Sequence, residues 1–299
     1  MKLGDLVKRA SDKSRFISLD DYVDFARRFL DFLAGDGVQA RIVARNEPCY
    51  GFYQFKRDGH FNITRPINSE LFLHAEDSML LSKLEGLIAP GREPARLSEK
   101  DRAGIRRSIY TLQQCIGAAL DALPSGKANT ARKLNGDLFE RLIRILVNRA
   151  GVPCESGTVS VPVLTEGVEQ FRMSYQHDLV VKHGEVVRLI GSVKTSSKDR
   201  LDKIFVDKFL YSKLTGTNVP HVAVFLNDVQ RKPTPRPNQF GVSATFLPGH
   251  FKGFTIKLNP LDGVYYCDLR PNMRQDEWLA SQIRSIDRFF CDDLRGFVS

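Results

Sequence analysis

The chain of 299 residues is 42% apolar and 26% charged, a composition that describes a globular protein with a sizeable core. It carries 44 Lys and Arg against 35 Asp and Glu, and the formal net charge of +9 favours a polyanionic partner such as nucleic acid over an acidic small molecule. Five scattered cysteines without a CxxC pair predict neither a disulfide framework nor a thiolate zinc site. Without an apolar leader or a run of 18 apolar residues, we expect a cytoplasmic protein with no membrane span.

Helical patterns dominate the first part of the sequence. Apolar side chains recur at helical spacing between Tyr22 and Leu33, and we expect Gly35 and Gly37 to end this helix by adopting φ > 0. The predicted elements are helices over 19–35, 75–90, 98–122 and 129–150, with short strands around 40–56. These patterns indicate a mostly helical N-terminal region over 1–125.

The second part alternates short β-branched or aromatic runs with turn signals. The predicted strands are 157–163, 174–182, 186–194, 220–227, 242–247, 253–258 and 263–267, and the predicted helices are 198–214 and 275–290. The basic, proline-rich segment 231–238 should be an extended loop. We therefore predict an α/β unit over 126–299, a mixed sheet flanked by helices, although the whole chain as one compact domain remains open.

Three polar residues stand at neighbouring positions of two predicted strands. Asp178 lies on one strand, and Ser192 and Lys194 lie on the next, where alternation places both side chains on one face. A carboxylate and an ammonium can then meet across the strands. This pairing suits phosphodiester hydrolysis, in which a carboxylate holds a hard cation such as Mg²⁺ and a lysine stands near the scissile phosphate.

The helix after Lys194 offers a second carboxylate. If that helix begins near Asp199, then Arg200, Lys203 and Asp207 follow at spacings of three and four and share one face. We expect Asp207 to point back at the strands and to complete the metal site.

This arrangement resembles the variant PD-(D/E)xK site of type II restriction endonucleases of the EcoRII and NgoMIV group. In that group a small residue such as serine replaces the acid two positions before the lysine, and an acid on the following helix supplies the lost carboxylate. The resemblance implies that Asp178 and Asp207 are the metal ligands and that Glu140 is a further acid, although an ion pair with Arg144 is the alternative for Glu140. The group more often has Glu where this chain has Asp207.

The same group has a basic-acidic-basic reader of DNA bases just after the lysine, and Lys198, Asp199 and Arg200 stand at the matching offset. In this role the cations would donate to guanine O6 and N7, and the carboxylate would accept from cytosine N4. Lysine stands where the group usually has arginine, and it cannot make the bidentate fork. The alternative is a charged first turn of a helix. Further DNA contacts are predicted for Lys203, Arg231 and Arg236, with a merely solvated loop as the alternative for the last two.

The resemblance therefore implies a restriction-endonuclease-like α/β fold and a Mg²⁺-dependent enzyme that cuts double-stranded DNA at a short, palindromic, G·C-rich site and leaves 5′-phosphates. The N-terminal region would add DNA contacts or a subunit interface. A homodimer is the natural assembly for a palindrome, with a tetramer left open, and a cognate DNA methyltransferase would protect the host. Two alternatives remain: a structure-selective repair or recombination nuclease of the same fold, and a DNA-binding protein without catalysis.

Overall fold

The structure is a computed structural model that describes residues 2–35, 37–57, 59–93, 96–198, 200–236 and 239–299. The first two helices are α1 (Leu3–Ala10) and α2 (Leu19–Ala34). Ser18 begins α2 with a capping box, because its hydroxyl accepts from the Asp21 backbone N–H while the Asp21 carboxylate accepts from the Ser18 N–H. The helix α2 confirms the helix predicted over 19–35.

The predicted glycine stop after α2 is correct in position and wrong in conformation. Gly35 is the C-cap, but its φ is −85°, so it does not use the left-handed region. Gly37 is required for a different reason, since the ring of Phe32 occupies the space that a Cβ would need.

A four-stranded antiparallel sheet follows, which we call the small sheet. Its strands are β1 (Ala40–Val43), β2 (Tyr50–Arg57), β3 (His60–Ile63) and β4 (Ile67–Asn68). The order is β1-β2-β3, and β4 pairs with the first part of β2. The short strands predicted around 40–56 are confirmed by β1 and β2, and β3 and β4 extend the sheet beyond the prediction.

Three helices lead to the second part of the chain: α3 (Met79–Ile88), α4 (Glu99–Leu120) and α5 (Ala128–Arg149). Ser98 and Asp101 form a second capping box at the start of α4. Every residue of α4 from Ser108 to Leu120 is buried, so this helix is the centre of the N-terminal core.

The remaining elements in chain order are β5 (Cys154–Thr165), β6 (Val168–His183), β7 (Val186–Lys194), α6 (Leu201–Thr215), β8 (His221–Phe225), β9 (Val229–Pro233), β10 (Phe240–Ala244), α7 (Pro248–Lys257), β11 (Gly263–Tyr266), α8 (Pro271–Gln275), α9 (Glu277–Gln282), β12 (Ile283–Ser285), α10 (Ile286–Arg288), a π-helical turn (Phe289–Asp293) and α11 (Leu294–Val298). Six of these strands form the main sheet in the order β12-β11-β8-β7-β6-β5. The pairs β5/β6 and β6/β7 are antiparallel and the other three are parallel, which makes the sheet mixed, as predicted.

Three predicted elements differ from the structure. The strand predicted over 253–258 is wrong, because Pro248 begins α7 there. The helix predicted over 275–290 is interrupted by β12, which pairs in parallel with β11. The segment 231–238, predicted as a loop, begins within strand β9, which pairs with β10, and Pro237 and Asn238 lie outside the described residues.

Helices cover both faces of the main sheet. On one face, Leu179, Val193 and Val224 join a hydrophobic cluster that runs through α1 to α5, so one core connects the two parts of the chain. On the other face, Phe205 of α6 and Phe251 of α7 pack with Phe225 and Tyr266. No helix in the described ranges is long and apolar enough to cross a membrane. The boundary near residue 125 stays a prediction.

Candidate active site

A β-bulge in β6 directs the Asp178 side chain. The register with β5 shifts between Glu155 and Gly157, where β6 carries the extra residue. Before the bulge, Tyr175 packs towards α6, whereas Leu179 beyond it belongs to the core that contains α1 to α5. Strict alternation would have placed these two side chains on the same face. Asp178 therefore lies where β6 changes face, and its carboxylate accepts the backbone N–H of Val193 on β7 at 2.8 Å.

Lys194, the last residue of β7, joins two carboxylates. Its Nζ donates to Asp178 Oδ2 at 2.5 Å and to Glu140 Oε1 on α5 at 2.9 Å. Their side chains retain 15 to 28% exposure, so the group is partly buried but open to a ligand. The structure thus brings together three of the predicted site residues.

The charges in this group are mutually dependent. Burial raises the pKa of the Glu140 carboxyl, and the charge of Asp178 adds to the rise. Burial acts to lower the pKa of Lys194, but the charges of Asp178 and Glu140 outweigh it, and the net shift is upward. Lys194 is therefore an ammonium, and one positive charge faces two carboxylates.

This donor set can be compared with the needs of Mg²⁺. The cation is held by oxygen ligands and commonly uses one or two carboxylates together with water and substrate phosphates. The described residues contain no group of three or more His, Cys, Asp or Glu side chains arranged to hold a metal ion. Glu140 and Asp178 therefore fit a Mg²⁺ that is also coordinated by phosphate, and they do not fit a cation enclosed by protein alone.

Lys194 and Glu140 lie in the wall of a cleft of about 1040 Å³. Its lining includes seven cations (Arg65, Arg132, Lys133, Lys194, Lys198, Arg200 and Arg231) and three acids (Asp121, Asp137 and Glu140). Among the described residues, the acids pair with Arg65, Lys133 and Lys194. The four other cations have no carboxylate partner in that part of the chain, so the cleft presents positive charge to a ligand.

Asp207, the predicted second metal ligand, lies on α6 with a different neighbour. Its carboxylate accepts from Lys203 one turn earlier at 2.5 Å. Its charge acts to raise the pKa of buried His177, although burial outweighs this effect and lowers that pKa. The charge of Asp178 also acts to raise the pKa of His177. The structure shows Asp207 paired with Lys203 and does not bring it into contact with Lys194, so its metal role stays a prediction.

Ser192 is half-buried on β7, opposite Ala223 of β8 and in phase with Lys194. Lys203 is exposed on α6, and it does not line the cleft. The catalytic role of Ser192 and the DNA contact of Lys203 stay predictions.

The predicted reader residues are partly in place. Lys198 and Arg200 line the cleft, and Asp199 lies outside the described residues. Arg231 also lines the cleft, where its guanidinium donates to the Ile63 carbonyl at 3.1 Å and lies over the Phe240 ring. Arg236 is exposed near the end of the β9–β10 hairpin, outside the cleft lining.

Several residues that line the cleft were not predicted from the sequence. Arg132 and Lys133 lie on α5 about two turns before Glu140, and their helical spacing from that acid was the available signal. Arg65 is held by three hydrogen bonds to the Asp121 carboxylate, two from its guanidinium and one from its backbone N–H, and Gln230 stands on β9. Neither has a sequence signal, since the tertiary fold alone places it in the cleft.

Comparison with known proteins identifies the fold. No protein-family model matches the sequence, and no curated protein matches it. The chain is similar to the crystal structure of the type IIP restriction endonuclease Kpn2I, with a TM-score of 0.68 and 15% identity over 99% of this chain and 97% of that chain. It also matches a complex of restriction endonuclease PspGI with substrate DNA, with a TM-score of 0.45 and 14% identity over 74% of this chain and 90% of that chain. The likeness to Kpn2I confirms the predicted restriction-endonuclease-like α/β fold.

Proposed function

We propose that this chain is a Mg²⁺-dependent type II restriction endonuclease that hydrolyses double-stranded DNA at a specific short site. The observation that carries the proposal is the position of the Lys194 ammonium between the Glu140 and Asp178 carboxylates in the wall of a positively charged cleft. The shared fold with a restriction endonuclease supports it.

In the proposed mechanism, Glu140 and Asp178 would hold Mg²⁺, and Asp207 remains the further predicted ligand. The cation, when bound, polarises the phosphoryl oxygens and lowers the pKa of water. Lys194 stays protonated beside the two acids, so its ammonium is available to orient the attacking water and to stabilise charge on the phosphate. The backbone N–H of Val193 fixes the Asp178 carboxylate.

The four cleft cations that lack a carboxylate partner among the described residues would serve the DNA backbone and the base edges. Arg132 and Arg231 face the cleft from α5 and from the β9–β10 hairpin, and they suit phosphate contacts. Lys198, Asp199 and Arg200 follow the catalytic lysine and suit guanine and cytosine, which gives a G·C-rich site.

The further features of the proposal come from the resemblance in sequence. Cleavage would leave 5′-phosphates, and a palindromic site would be cut by a homodimer or tetramer with two active sites related by a dyad. A cognate methyltransferase would protect the same site in the host.

The proposal is tested with purified protein, phage DNA and either Mg²⁺ or chelator. We expect discrete fragments with Mg²⁺ and none with chelator. Lys194→Ala should lower cleavage by roughly 100-fold or more, because electrostatic groups of this kind contribute about that much or more to rate. The matched control is Lys182→Ala on β6, since Lys182 pairs with Glu155 and lies outside the cleft.

Each outcome separates one candidate function from another. Discrete fragments that depend on Lys194 support the restriction enzyme. A smear that Lys194→Ala abolishes would instead indicate a structure-selective nuclease. Intact DNA together with a mobility shift would indicate a binding protein without catalysis.

A further inference from the structure

Gln230 pairs with Lys198, and the proposed function assigns a role to Lys198 but none to Gln230. Both line the cleft and both are exposed, one on β9 and the other just after β7. Lys198 Nζ lies 3.2 Å from Gln230 Oε1. Because an ammonium only donates, it occupies the acceptor of the amide and leaves the Nε2 hydrogens of Gln230 for another partner.

The backbones that carry this pair are tied together. The Ser196 and Ser197 hydroxyls lie 3.4 and 3.2 Å from the Thr245 hydroxyl. Thr245 in turn donates from its Oγ1 and its backbone N–H to the Asp228 carbonyl, at the base of the β9–β10 hairpin. The hairpin and the segment after Lys194 thus form one unit, which fixes Gln230 relative to the catalytic group.

The chemistry of the pair selects one base. In the major groove guanine presents two acceptors, O6 and N7, whereas adenine presents the N7 acceptor and the N6 donor. The Lys198 ammonium and the Gln230 amide N–H groups offer only donors. They match the two acceptors of guanine, whereas on adenine one of them would face the N6 donor. An antiparallel two-stranded ribbon such as β9–β10 is also an element that this groove admits.

We infer that Gln230 is a specificity-determining residue which, together with Lys198, reads the O6 and N7 edge of one guanine in the cleavage site. The inference rests on the proposed function, and it assigns Gln230 to the same base pair as Lys198.

The test compares cleavage-site selection by wild type, Gln230→Ala and Gln230→Asn, by sequencing the ends produced from phage DNA. Gln230→Ala should lower discrimination at one G·C position by about 10-fold, within the range for loss of a base contact. Gln230→Asn, which is one methylene shorter, should give the same direction of change. Gln170→Ala is the matched control, because Gln170 is an exposed strand glutamine outside the cleft.

A modified substrate and a double variant test the contact itself. Replacing the guanine of that position with 7-deazaguanine removes N7, so cleavage by wild type should fall while Gln230→Ala responds little. Lys198→Ala should relax the same position, and the double variant should relax it no more than the stronger single variant, because the two side chains read one base.

The failures are distinguishable. A wild-type protein that cuts at no defined site overturns the proposed function and this inference with it. A defined site that Gln230→Ala cuts with unchanged selectivity overturns the inference alone. A Gln230→Ala variant that loses cleavage equally at all sequences, with an unchanged melting temperature, also overturns it, since that pattern belongs to a phosphate contact.

Discussion

Glu140 is a partly buried carboxylate next to a second carboxylate, and this arrangement costs stability. Burial and Asp178 both raise its pKa, whereas Lys194 alone compensates for two acids. Functional sites commonly hold such charges at the expense of stability, since a metal ion needs them.

Glu140→Gln should therefore separate activity from stability. Under the proposed function we expect cleavage to fall by roughly 100-fold or more, because a Mg²⁺ held by Glu140 would contribute several kcal/mol to the reaction. The melting temperature should equal or exceed that of wild type, since Lys194 keeps its contact with Asp178 and the repulsion between acids disappears. Cleavage assays and thermal unfolding at pH 7 measure both, with Glu155→Gln, an exposed acid paired with Lys182, as control. A destabilised variant would indicate a structural ion pair instead.

Asp228, which lies apart from Lys194 and its two carboxylates, gives a pH-dependent prediction. Burial raises the pKa of Asp228 to about 6 from 3.8, Arg270 opposes the rise, and neither carboxylate oxygen has a hydrogen-bond partner in the described structure. The folded-state pKa of Asp228 lies above its unfolded value, so ionisation of this carboxyl destabilises the folded protein. The free energy of unfolding therefore falls as pH rises from about 4 through 6. The cost above that range is about 3 kcal/mol.

Asp228→Asn should consequently stabilise the protein more at pH 7.5 than at pH 4.5. The loss of attraction to Arg270 reduces the gain at both values, so the difference between them is the measured quantity. Denaturant unfolding at the two pH values provides it, and Asp31→Asn, at an exposed position of α2, is the control. An equal effect of Asp228→Asn at both pH values would show that the carboxyl is ionised throughout.

The sequence predicts individual site residues unevenly. Strand alternation places Ser192 and Lys194 in phase, and the structure shows Lys194 beside Asp178. Glu140 came from the resemblance, since all of β5 and the first part of β6 separate α5 from Asp178 in the chain. Gln230 carries no pattern at all, because only the return of β9 to the cleft gives it a role.

At the scale of elements, tertiary contacts decided the cases that local patterns missed. The segment around 253–258 alternates apolar and polar residues, but Pro248 begins a helix and Phe251 packs on Phe205, so the helix prevails. The bulge in β6 likewise has no sequence signal, yet it sets the direction of Asp178. Long amphipathic or capped segments such as α2 and α4 were predicted to within a few residues.

The β9–β10 hairpin should depend on Thr245 for its position. Thr245→Val keeps the shape and removes the hydroxyl contacts with Ser196, Ser197 and the Asp228 carbonyl. We expect a loss of about 1 kcal/mol in stability and slower cleavage with relaxed site preference. Unfolding curves and end sequencing check both results.

Thr255→Val is the control for this prediction. It removes a hydroxyl hydrogen bond within α7, so it should lose similar stability and keep the site preference. Unchanged cleavage by Thr245→Val would show that the hairpin position does not depend on this contact.

At the scale of the whole molecule, one core joins the N-terminal helices to the main sheet, and the cleft is lined by residues of both regions. Arg65 lies between β3 and β4 of the small sheet, Arg132 belongs to α5, and Arg231 belongs to the β9–β10 hairpin. The overall charge of +9 predicted a polyanionic partner, but the location of the positive surface required the fold.

DNA binding should release counterions in proportion to the cleft cations that meet phosphates. If Arg132 and Arg231, the two cleft cations assigned to phosphates, each neutralise one phosphate, log K should fall with log salt at a slope of about −2. Arg132→Ala should weaken binding to all sequences alike and reduce the slope by about 1. The control is Arg149→Ala at the far end of α5, where Arg149 pairs with Glu85. Fluorescence anisotropy without Mg²⁺ over a range of salt concentrations measures the slopes. Equal slopes for Arg132→Ala and wild type would place the DNA backbone away from α5, and a slope near zero for wild type would remove the cleft as the DNA-binding surface.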